Sequence, residues 1–132
     1  MSTQHLSVAR PAGSDGELRV LSLALTCGPI TVIGLSGDVD MSTAHLITEL
    51  VTRVSEKHPS QVILDMTEVS FFCAAGITAL LHAYGTIKDA GGELLLRHPS
   101  AITMRILTTT GTADIFPIDR HSVPRDRKRD LI

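Results

Sequence analysis

Six histidines, two cysteines and a few turn-placed aspartates are the side chains of this 132-residue chain that could do chemistry. His5, His45, His58, His82, His98 and His121 follow no spacing that would bring several onto one metal ion, so no metal site and no cofactor is expected. Asp38, Asp40 and Asp65 resemble paired acids only superficially. Each closes an apolar run and enters a turn, where a carboxylate accepts from loop and helix-start N–H groups. A Gly-rich phosphate loop, H-E-x-x-H and G-x-S-x-G are all missing, and the chain is not read as an enzyme. Cys73 stands where a helical pattern begins, and the unpaired N–H groups of a helix start favour a thiolate, which makes it a candidate redox site. Its neighbours Phe72, Ala74 and Ala75 are apolar and argue against reactivity, and Cys27 reads as a plain small turn residue. The two cysteines, 46 positions apart, form no metal or redox motif, and a structural disulfide is not expected in a cytoplasmic protein.

The elements that would position these groups centre on the stretch from Ile63 to Ile77. An apolar run, Val62–Leu64, ends in Asp65, and a short polar turn leads to Val69, Phe71 and Phe72. Cys73, Ile77, Leu80, Tyr84 and Ile87 then recur at four and three residues, predicting a helix from about Cys73 to Ala90 that stops at Gly91-Gly92. The first N–H groups of that helix suit an anion, a phosphate or a partner's acceptor groups. Upstream, residues 1–16 are polar with Pro11, Gly13 and Gly16, and read as a flexible leader. Leu18–Leu25 and Ile30–Leu35 flank a Gly-containing turn as a hairpin. After Gly37-Asp38-Val39-Asp40, Ser42 or Thr43 is a good N-cap for a helix whose stripe is Leu46, Ile47, Leu50, Val51 and Val54, ending near Lys57-His58-Pro59. A third strand, Val62–Met66, lacks alternation, as expected with both faces covered. Glu93–Arg97 reads as a fourth strand. A short helix with Ile102, Ile106 and Leu107 on one side follows Pro99-Ser100, and Ile115–Ile118 reads as a brief edge strand. This alternation indicates an α/β domain with a mixed β-sheet.

The length fits one domain, and 43% hydrophobic residues with only 3% aromatics indicate an aliphatic core. The N-terminus does not resemble a signal peptide, and the most apolar window, Val20–Leu35, is too short for a membrane span and broken by Gly28-Pro29. A soluble, cytoplasmic protein with no membrane partner is expected. The formal charge of −2 is uneven: residues 119–132 carry five basic and three acidic side chains, a net +2, leaving −4 on the rest. That end reads as a solvated, disordered tail, and no basic stripe interleaved with aromatics points to nucleic acid.

Two motifs carry a family resemblance. Leu64–Gly76, with Asp65, Thr67, Val69, Phe71 and Gly76, resembles the D-x-[ST]-x-V-x-F signature of the STAS-domain anti-sigma factor antagonists. Gly37-Asp38-Val39-Asp40-Met41-Ser42-Thr43-Ala44 resembles the second signature of that family. The resemblance spans roughly residues 17–118 and implies a STAS-like single domain, its sheet covered mainly on one face by helices. It also implies docking onto an anti-sigma factor, usually an ATP-using serine kinase, so that a sigma factor is released. The kinase would then end the contact by phosphorylating a serine at the helix start. The partner-binding positions so implied are Asp38, Asp40, Ser42, Thr43, Cys73, Ala74, Ala75, Gly76 and Thr78. Here the phosphoacceptor position is Ala74, preceded by Cys73 and followed by Ala75, so the usual acceptor is missing. Ser70 lies too early to replace it, and Thr78, one turn into the helix, is expected to be less accessible. Three readings follow: an antagonist without the phosphorylation switch, a redox-responsive regulator acting through Cys73, or a scaffold subunit of a signalling or lipid-transport complex. A monomer or weak homodimer is expected.

Overall fold

Alternation along the hairpin strands decides which face of the sheet holds the core. Leu21, Leu23, Leu25, Ile33 and Leu35 are buried, while Ser22, Ala24, Gly34 and Ser36 between them line an open groove on the opposite face. The computed structural model describes residues 3–11 and 18–119. In chain order the elements are β1 (Thr3–Pro11), β2 (Leu18–Thr26), β3 (Ile30–Val39), α1 (Ala44–Ser55), β4 (Gln61–Phe72), α2 (Ala74–Asp89), β5 (Glu93–Arg97) and α3 (Ala101–Thr109). They build a mixed five-stranded sheet in the order β1-β2-β3-β4-β5. The β1–β2 and β2–β3 pairs are antiparallel, and the β3–β4 and β4–β5 pairs are parallel. Helix α1 buries Ile47, Leu50, Val51 and Val54, and α2 buries Ile77, Leu80, Ala83 and Ile87, completing an aliphatic core. Gly91, at φ +92°, accepts the left-handed conformation that ends α2, as the Gly-Gly pair predicts.

Several expectations need correction. Within the leader read as flexible, Thr3–Pro11 forms β1 and pairs with β2 from Thr3↔Thr26 to Pro11↔Leu18. The pairing covers an edge that β2 would otherwise expose, a tertiary gain that local composition does not encode. The remainder of that leader, and the tail beyond Asp119, lie outside the described residues. The third strand does not stop at Met66 but continues to Phe72. Its ladder with β3 jumps from Gly34↔Asp65 to Ser36↔Glu68, a bulge in which the Asp65 carboxylate accepts from the Thr67 N–H at 3.0 Å. The turn-like residues Asp65–Glu68 therefore sit inside a strand. In α3, Leu107 is buried and Ile106 packs half-buried against the core, as expected, but Ile102 is exposed and Thr103 takes the buried place beside Leu107. Ser100 caps this helix by accepting from the Thr103 N–H. The last strand shrinks to one parallel bridge, Leu96↔Ile118. The chain is tied there by the Asp119 N–H to the Leu96 carbonyl at 2.7 Å and by an Arg97–Asp119 ion pair at 2.9 Å.

Candidate partner-binding site

Parallel pairing of β3 with β4 carries both signature loops to one end of the sheet. Asp38 faces Phe71 and Val39 faces Phe72 in register, and the Cys73 N–H donates to the Val39 carbonyl at 3.2 Å. The loop entering α1 and the start of α2 thus lie side by side, at the strand ends where α/β sheets gather binding sites.

The first loop is closed by its own polar groups. One Asp40 carboxylate oxygen accepts from the Ser42 N–H at 2.9 Å, the Ser42 hydroxyl at 2.8 Å and the Thr43 N–H at 3.1 Å. The Thr43 hydroxyl donates to the Asp38 carbonyl at 2.7 Å and accepts from the Asp40 N–H at 3.0 Å. Thr43 occupies the N-cap position of α1 but makes no side-chain cap bond, because its hydroxyl is committed backwards into the loop and wholly buried. The capping role expected of Ser42 or Thr43 therefore belongs to Asp40, in the N–H-accepting part foreseen for it. Asp38 is half-buried beside them.

Partial burial works to raise the Asp40 pKa and is the largest single influence. The hydroxyl and N–H of Ser42, then those of Thr43, together outweigh it and hold the carboxyl below its ordinary value. A folded value below the unfolded one, about 3.9, gives stability that is full above the unfolded value and lost as pH falls through the lowered one. Asp40→Asn is accordingly expected to destabilise the neutral protein and to flatten the acid side of its stability–pH curve in urea unfolding. An acid side identical to that of the wild type would refute a stabilising carboxylate.

The second loop is unusually bare. Cys73 takes the N-cap of α2 in an extended conformation with no side-chain cap bond, and the first turn holds no acidic residue. Ala74 and Thr78 are exposed, and Cys73 and Ala75 are half-buried. Thr78 is thus more accessible than its place inside the helix suggested. Gly76 is buried, since a Cβ there would stand 2.6 Å from the Phe72 ring. Around this helix start the surface is apolar: Phe71 is 37% exposed, and Met41, in the adjoining loop, is 88% exposed. Met41 was not singled out by sequence reasoning. Its signal was an apolar residue in a polar turn, five positions ahead of the start of the α1 stripe at Leu46 and belonging to no periodicity.

Cys27 and Cys73 are both free and half-buried, and lie at opposite ends of the sheet. Among the described residues no three His, Cys, Asp or Glu side chains group closely enough to hold a metal ion, and no helix is long and apolar enough to cross a membrane.

The profile of the STAS domain matches residues 24–123. The chain belongs to the STAS-domain family. This STAS chain is 28% identical over 86 residues to the anti-sigma-B factor antagonist of Listeria monocytogenes, an alignment covering 65% of this chain and 75% of that protein. It superposes on the unphosphorylated anti-sigma factor antagonist SpoIIAA with a TM-score of 0.65 at 18% identity, over 85% of this chain and 98% of the other. An anti-sigma factor antagonist from Mycobacterium paratuberculosis gives a TM-score of 0.64 at 19% identity, over 89% and 86%. These structural likenesses establish a shared STAS fold.

Proposed function

We propose that the chain is an anti-sigma factor antagonist that docks onto a serine-kinase-type anti-sigma factor through the surface around Met41, Ser42, Phe71, Ala74 and Thr78, and so releases a sigma factor. The observation that carries this reading is the bare α2 start, placed by the β3–β4 pairing beside the exposed Met41 and Phe71. Exposed apolar anchors next to unpaired helix N–H groups suit a protein surface offering apolar pockets and acceptor oxygens. Asp40 and Thr43 contribute by holding the loop closed, and Asp38, Ser42, Cys73, Ala75 and Gly76 shape the same face. The activity is binding rather than catalysis.

Ala74 offers no oxygen to a kinase, so docking is governed by abundance rather than by phosphate. Titration calorimetry with the anti-sigma kinases of the same genome tests the docking, and no binding to any of them would end the antagonist reading. Incubation with the cognate kinase and ATP is expected to leave the intact mass unchanged. Phosphate appearing at Thr78, Ser70 or Ser42, all at least partly accessible, would restore a switch and overturn the constitutive part of the proposal.

A further inference from the structure

A second concavity lies at the opposite end of α1, about 18 Å along the helix from the docking loop. It opens between the β2–β3 turn and the last turn of α1 and has a volume of about 210 Å³. Leu25, Leu50 and Val54, all nearly inaccessible, provide an apolar floor, and Cys27 adds a small polarisable wall. Arg53 and Lys57, one helical turn apart and both exposed, border the same space. Neither pairs with a carboxylate among the described residues. The Thr31 hydroxyl, also on the lining, is already committed to the Gly28 carbonyl at 3.0 Å.

Cations in the last turn of a helix complement its dipole and need no ligand for that purpose. The dipole does not account for the apolar concavity beneath them. An open floor of leucine and valine bordered by two unpaired cations is complementary to an amphiphilic anion: the head is met by charge-assisted hydrogen bonds and the body removes apolar surface from water. The volume corresponds to about seven water-sized groups, which sets the length of the body.

We propose that this concavity binds a short-chain organic carboxylate, its carboxylate held by Arg53 and Lys57 and a hydrocarbon body of about six to eight carbons lying on Leu25, Leu50 and Val54. The site is separate from the surface around Met41 and Ala74, so occupancy leaves that surface free.

The test is titration of the full-length protein with sodium octanoate, followed by backbone amide NMR, with octan-1-ol and inorganic phosphate as parallel probes. Octanoate is expected to give saturable shifts centred on Cys27, Gly28, Leu50 and Arg53. The double variant Arg53→Gln/Lys57→Gln is expected to lose at least about tenfold in affinity, with only the small fall in melting temperature that loss of exposed cations at a helix C-terminus brings. Octan-1-ol binding as tightly as octanoate would show that the cations play no part, and phosphate binding as tightly would show that the floor plays none. Either outcome, shifts centred elsewhere, or no saturation at millimolar octanoate overturns the proposal.

Discussion

Ala74→Asp is expected to weaken binding to the anti-sigma partner by at least about 100-fold, close to 3 kcal/mol, without destabilising the fold. Ala74 is the first residue of α2, directly after the Cys73 N-cap, and is exposed. A carboxylate there is desolvated on docking and faces the acceptor-rich surface that the bare N–H groups would otherwise meet, which costs several kcal/mol when no cation compensates. In the free protein the same charge sits at the positive end of the helix dipole, where it contributes about 0.3–1 kcal/mol of stability. The two effects have opposite signs, so calorimetric titration together with a melting curve separates a lost interface from a lost fold. Wild-type affinity in Ala74→Asp would place the helix start outside the contact.

The largest loss of stability is expected at Phe72, where truncation to alanine should cost about 3–5 kcal/mol of a total that for such domains is about 5–15 kcal/mol. Its ring is 1% exposed and fills the space directly over Gly76. The fit is tight: a Cβ on Gly76 would lie 2.6 Å from two ring carbons and 2.9 Å from a Val39 methyl. Gly76→Ala is therefore expected to destabilise by about 1–3 kcal/mol through overpacking, even though alanine is the better helix former by about 1 kcal/mol. In the background Phe72→Leu the alanine is expected to cost less, because contacting sites are not additive. Urea unfolding of the single and double variants checks this, and a Gly76→Ala protein as stable as the wild type would exclude the close approach. The steric reason for the motif glycine thus lies in a side chain four residues earlier and in a neighbouring strand.

Much of the architecture was legible because it rests on local periodicity. The stripes read from Leu46 and from Cys73 contain the buried Ile47, Leu50, Val51 and Val54 of α1 and Ile77, Leu80 and Ile87 of α2, the run about Thr26–Pro29 marks the hairpin, and Gly91 marks a helix end. Each signal is read within a few residues and needs no knowledge of what lies across the sheet. The two signature loops were legible as candidates for the same reason, being residue types at fixed spacing.

What the tertiary structure decided involves partners distant in sequence. Thr3–Pro11 becomes a strand only because the β2 edge is there to pair with it. Asp65–Glu68 read as a turn because the local signals for a turn and for a bulge coincide, and pairing with β3 selects the bulge. Thr43 looks like a cap until the Asp38 carbonyl captures its hydroxyl, and Ile102 looks buried until α3 docks on its Thr103–Leu107 side. The exposure of Met41 beside the α2 start follows from two parallel strands ending together. By itself the sequence determined the two signature loops and the helices that follow them. Their assembly into one surface was decided by strand pairing, because hydrogen bonds and burial between segments tens of residues apart leave no trace in local spacing.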